Sequence, residues 1–118
     1  MHQPLRLRLD AAAFAHNYKR LQQLAGTCVG AAVKANAYGL GAVQAVSRLL
    51  REGCRDFFVS SWWEAEELSF LPPNTLSVLH GLGRDDEPRP GVRPVLISLE
   101  QIARWKESGR SGEPCDVM

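Results

Sequence analysis

The sequence predicts an α/β protein with parallel strands, and three observations carry that expectation. Short apolar runs alternate with segments of helical period along most of the chain, the pattern of strands joined by crossovers. The run Cys28–Val33 is apolar throughout, as expected of a parallel strand covered on both faces. Two capping boxes, Ser61–Glu64 and Ser98–Gln101, stand just after strand-like runs, so each opens a helix beyond a strand's carboxyl end. Such a sheet can be open or closed, and a closed barrel of eight units takes about 250 residues. The 118 residues hold four completed strand-and-crossover units and an opening fifth strand. On the closed reading the chain is the N-terminal portion, about half, of a (β/α)8 TIM-type barrel, and belongs to a larger protein.

The elements follow in order. Leu5, Leu7 and Leu9 alternate with Arg6 and Arg8, which predicts a short half-buried strand. Asp10 then caps a helix with Phe14, Tyr18, Leu21 and Ala25 on one stripe, closed by Gly26. After the strand Cys28–Val33 comes a glycine-bearing turn, and Val43, Val46 and Leu50 recur at helical spacing with Gly53 as the stop. Phe57–Val59 is a strand, and the helix opened by Ser61 runs to about Leu71, ended by Pro72 and Pro73. Leu76–His80 is the next strand. The stretch GLGRDDEPRPG, Gly81 to Gly91, reads as an exposed loop without a helix. Val95–Ile97 is strand-like, a helix runs from Ser98 through Ile102 and Trp105 toward Gly109, and Cys115–Met118 begins another strand.

Composition narrows the function classes. Lys and Arg number 14 against 13 Asp and Glu, a net charge of +1 without a basic block, so nucleic acid is not an expected partner. No apolar stretch reaches the roughly 18 residues of a spanning helix, and the first ten residues lack a signal-peptide pattern, so no membrane is expected and the cytoplasm is the default compartment. Cys28, Cys54 and Cys115 are odd in number and far apart, which argues against a disulfide framework and against a metal site. They read as small core or surface thiols.

One residue stands out. Lys34 directly follows the apolar strand Cys28–Val33, and in parallel βα folds the functional groups gather at the carboxyl ends of strands. Desolvation favours the free amine of a lysine, and a free amine attacks carbonyls to form a Schiff base. Position alone leaves a second role open, a surface lysine snorkelling from a strand end. The residues after it bear on the choice. AAVKANAYGLGA, Ala31 to Ala42, resembles the pyridoxal-phosphate attachment segment of alanine racemases, whose usual form is V-K-A-N-A-Y-G-H-G. From Lys34 to Gly41 only Leu40 departs from it, standing where the family usually has histidine. RLRLDAAAFAHNYKRL and PVLISLEQIARW resemble other parts of the same family, so the resemblance covers nearly the whole chain. A dinucleotide-binding glycine pattern fails, because Gln44 stands where its third glycine would be.

The resemblance implies a barrel holding pyridoxal 5'-phosphate at its strand carboxyl ends, a separate C-terminal β domain, a homodimer, and alanine as the small-molecule substrate. It implies that Lys34 is the catalytic lysine, bound to the cofactor as a Schiff base and acting as a base on one face of the substrate. It implies that Tyr38 hydrogen-bonds the cofactor phosphate. Gly39 and Gly41 let backbone approach a ligand, or serve simply as turn glycines. The family's second acid/base, a tyrosine of the partner subunit's C-terminal domain, has no match in these 118 residues. Its arginine near the pyridine nitrogen is also unmatched. Two alternatives stand beside the racemase: a pyridoxal-phosphate-binding homeostasis-type protein of the same barrel fold, and an inert N-terminal fragment. His2, His16 and His80 are assigned no chemistry, although His80 ends a strand and could face the pocket. Trp62, Trp63 and Trp105 read as packing residues.

Overall fold

In a computed structural model, which describes residues 4–118, five strands form one parallel sheet in the order β1-β2-β3-β4-β5, the order of the chain. They are β1 (Ala31–Ala32), β2 (Phe57–Val59), β3 (Leu76–Val78), β4 (Val92–Leu96) and β5 (Asp116–Val117). The helical elements are α1 (Ala11–Ala25), a single turn α2 (Lys34–Tyr38), α3 (Ala42–Arg51), α4 (Trp62–Glu66) and α5 (Leu99–Glu107). Consecutive parallel neighbours with crossovers between them are the arrangement of a partial barrel. No helix among the described residues is long and apolar enough to cross a membrane.

Local chemistry sets most element ends. The Asp10 carboxylate accepts from Ala13 N at 3.0 Å to start α1, and Gly26 closes it at φ 65°. Ser61 and Ser98 cap α4 and α5 by accepting from the amides of Glu64 and Gln101. The α-helical part of α4 ends at Glu66; it continues to Leu71 only as turns, with Leu68 N donating to Ala65 O and Leu71 N to Leu68 O. Pro72 and Pro73 stop any further helix. The loop from Gly81 to Gly91 carries no helix, as the sequence predicts.

Several expectations change. Residues 5–9 form no strand: Leu5 and Leu7 are 88% and 71% exposed. Alternation can mark a face, but a strand also needs a neighbour to bond, and the described residues place none beside this segment. Cys28–Val33 shrinks to the two-residue β1, although Ala31 N and Val33 N still bond Asp56 O and Phe58 O at 2.8 Å. On α1 only Ala15 and Tyr18 are buried, because the helix lies at the sheet's edge; Leu21 is exposed. On α3 the buried stripe is Ala42, Ala45, Val46 and Leu49, rotated from the expected one, so Val43 faces solvent. Strand β4 begins at Val92, earlier than expected, despite Pro94. Its partner β5 starts beside Val95, so at Pro94 only the β3 flank is paired and the missing donor is tolerated.

The two faces of the sheet differ. Toward the helices, Val33, Phe57, Val59, Leu76 and Val78 pack with Val46, Leu49, Ala65 and Leu68. Behind α1, the Tyr18 hydroxyl donates to Val29 O at 3.0 Å, and burial, with the neighbouring Cys54 thiol adding to it, pushes this phenol up to about 12. The other face, concave in a barrel, carries Phe58, Ser77 and Arg93 at one level. There Arg93 pairs with Asp56 at 3.1 Å and with Asp116 at 3.7 Å, and the Ser77 hydroxyl donates to Asp116 at 2.9 Å. Gly30 lies against the Phe58 ring: a Cβ there would come within 2.8 Å of Phe58 Cε2.

Candidate active site

Lys34 comes directly after the strand end, where Val33 N makes the last ladder bond of β1 to Phe58 O at 2.8 Å. The chain does not continue as a right-handed helix. Ala35, Asn36, Ala37 and Tyr38 all have φ between 52° and 54°, so α2 is one turn of left-handed helix. None of the four is glycine, and each such residue costs roughly 1–2 kcal/mol. Strain of this size persists only where the surroundings hold it.

Two side chains hold it. Asn36 tolerates the left-handed region, and its Oδ1 accepts from Ala42 N at 2.8 Å, which caps α3 from the turn. Gly39 and Gly41, at φ 88° and 100°, complete the reversal. Glu64 closes the turn from the other side. Its Oε1 accepts from Ala35 N at 3.3 Å, and its Oε2 accepts from Ser60 N at 2.7 Å. The carboxylate therefore ties the end of β1 to the end of β2. The sequence places Glu64 in a capping box, but its bond to Ala35 spans 29 residues and no local pattern announces it.

Lys34 is half-buried, and Tyr38, on the same turn, is 65% exposed and lines an open groove with Phe14, Asn17, Leu21 and Leu40. Leu40 packs against the hydrophobic core, so an apolar contact occupies the position of the family's usual histidine. On the other side of the turn lies a cavity of about 340 Å³ lined by Asn36, Trp63, Glu64 and Glu67. Among the described residues Lys19 is the lysine in an ion pair, with Glu52 at 2.9 Å, and Lys34 has none. The His80 side chain makes no hydrogen bond among the described residues; His80 is exposed, its N–H donates to Ser60 O at 3.0 Å and its carbonyl accepts from Gln101 Nε2 at 3.0 Å, away from the Lys34 turn. Trp62 is buried, with its indole donating to Gly81 O at 2.9 Å, and Trp105 is buried in the second core cluster. Trp63, expected to pack, is 76% exposed. The described residues hold no cluster of metal-ligating side chains, and all three cysteines are free thiols.

A lysine at a parallel strand's end, followed by a braced left-handed turn, is a specific local structure, and residues 9–118 match the family model for the alanine racemase N-terminal domain. The chain belongs to the alanine racemase family. It is 47% identical over 105 residues to the alanine racemase of Brucella ovis, covering 84% of this chain and 26% of that protein. It is 40% identical over 115 residues to a catabolic alanine racemase of Rhizobium johnstonii, of which it covers 30%. Its structure superposes on an alanine racemase of Bartonella henselae with covalently bound pyridoxal phosphate, at a TM-score of 0.79 and 34% identity, covering 91% of this chain and 32% of that one. The chain thus spans a quarter to a third of the length of these relatives, and its five parallel strands are a partial alanine racemase barrel.

Proposed function

We propose that the chain is the cofactor-bearing N-terminal segment of a pyridoxal-phosphate-dependent alanine racemase, which interconverts L- and D-alanine. One observation carries the reading: Lys34 follows the first barrel strand at the head of a left-handed turn, in a chain matching the racemase family over residues 9–118. The donor set fits the cofactor. An aldehyde needs an amine not held by a carboxylate, and Lys34 makes no ion pair among the described residues; a phosphate needs an accessible donor, and the Tyr38 phenol is 65% exposed. Lys34 would hold pyridoxal 5'-phosphate through Nζ, and Tyr38 would donate to its phosphate.

When bound, that group supplies an electron sink that acidifies the Cα–H of an amino acid joined to it. Lys34 Nζ then takes or returns the Cα proton on one face of the substrate. Inverting the centre needs a second proton carrier on the opposite face, and in this reading that group and the remaining phosphate contacts lie outside the 118 residues. The same reading has the intact enzyme act in the cytoplasm as a homodimer, to which the free thiols are suited.

The test is borohydride trapping of pyridoxal phosphate in the native protein, followed by peptide mass mapping. The adduct is expected on Lys34 and is lost in Lys34→Ala. An adduct that persists on another lysine, such as Lys19 or Lys106, would overturn the assignment.

A further inference from the structure

The geometry points to Glu64 as the positioning residue that aims Lys34, an inference that rests on the assignment of Lys34 as the cofactor-binding lysine. The Ala35 N–H belongs to the same planar peptide unit as the Lys34 carbonyl, so fixing it fixes the dihedral that follows the Lys34 Cα. Glu64 Oε1 holds that N–H at 3.3 Å, while Oε2 holds Ser60 N at 2.7 Å at the neighbouring strand's end. The left-handed turn that begins at Ala35 is strained, and its own bonds, Ala37 N to Val33 O and Gly39 N to Ala35 O, do not anchor it to β2. Glu64 does. A charged acceptor shared by two backbone donors is stronger than a neutral one, and it holds both strand ends in one geometry.

The second capping box supplies an internal comparison. Gln101 stands at the same helical position of α5, accepts from Ile97 N at 3.0 Å and donates to His80 O at 3.0 Å. It stitches β4 to the loop after β3 as Glu64 stitches β2 to the turn after β1, but it touches nothing in the Lys34 turn. Removing Gln101 therefore reports the loss of a cap and stitch alone.

The experiment compares Glu64→Ala, Glu64→Gln and Gln101→Ala in the native protein that carries these residues. Three readouts are taken: amide hydrogen exchange at residues 35–39, the dissociation constant for pyridoxal phosphate, and the site of the trapped adduct. Glu64→Ala is expected to accelerate exchange in the turn and to weaken cofactor binding by about tenfold or more, the scale of one hydrogen bond to a charged group. Glu64→Gln keeps one acceptor and the side chain's shape, so an intermediate loss is expected, which serves the test if the alanine variant fails to fold. Gln101→Ala is expected to lower thermal stability while leaving turn exchange and cofactor affinity unchanged. Unchanged exchange and affinity in both Glu64 variants would overturn the proposal, as would an equal loss of affinity in Gln101→Ala. Absence of any adduct at Lys34 in the unsubstituted protein would instead overturn the Lys34 assignment, and the inference with it.

Discussion

Tyr18 is the residue whose environment gives the clearest solution signature. Its phenol is raised from 10.0 to about 12, chiefly by burial, while its hydroxyl donates to Val29 O. In the unfolded chain the phenol loses its proton near pH 10, whereas the folded chain keeps it until about pH 12. Between those values the native state binds more protons, so stability is complete below pH 10 and falls as pH rises through 12. Tyr18→Phe is expected to flatten this alkaline loss relative to the unsubstituted protein, measured by urea unfolding at pH 8 to 11. An identical pH slope would refute it. The expected stripe on α1 included Tyr18, but the hydroxyl's acceptor, 11 residues away across a turn, belongs to the folded register alone.

Among the elements, the left-handed turn α2 has the most to lose from one substitution. Asn36 supplies both an affinity for the left-handed region and the Oδ1 that caps Ala42 N at 2.8 Å. Asn36→Ala removes both and is expected to cost roughly 1–3 kcal/mol, adding a lost cap to backbone strain. Asn36→Asp keeps the acceptor and the tolerance, so it is expected to stay near the unsubstituted stability. Denaturant midpoints of the two variants check this, and equal losses would show that the cap does not matter. The sequence places a polar, glycine-bearing turn here correctly. It does not disclose the turn's hand, because alanine and tyrosine favour right-handed backbone and only the closure by Asn36 and Glu64 makes four left-handed residues affordable. Asn36 also caps the amide that opens α3, whose buried stripe is Ala42, Ala45, Val46 and Leu49.

For the whole molecule, the open sheet governs behaviour. Among the described residues the outer edges of β1 and β5 are unpaired, and Ile97, Val117 and Met118 are 52%, 66% and 84% exposed. Such edges and surfaces pair with other chains. The concave face is partly polar: Val33 and Val59 are buried under the helices, and the Asp56, Arg93 and Asp116 network occupies the other side. The 118-residue chain expressed alone is therefore expected to self-associate and, on the proposed assignment of Lys34 as the proton carrier for one face, to show no enzymatic racemisation of alanine. Size-exclusion chromatography together with D-alanine formation in the presence of pyridoxal phosphate checks both. Turnover by a compact monomer would refute the reading of the chain as a segment of the enzyme.

By itself the sequence determines the parallel α/β class, the order of the central elements, the serine N-caps of α4 and α5 and the lysine at a strand's end. Each of these is written in periods and caps that act within about four residues. The Glu64 and Gln101 side chains of the expected capping boxes instead bond the N–H one residue before each cap. Tertiary structure alone decides the rest. Leu5 to Leu9 stay unpaired because no strand among the described residues lies beside them, Pro94 sits inside β4 because one flank is free there, and Arg93 meets Asp56 from the head of β2 and Asp116 from β5. Glu64 reaches Ala35 across 29 residues for the same reason. A short polar side chain can be satisfied in many ways nearby, and only the packed register of β1 against β2 brings that backbone donor within its reach.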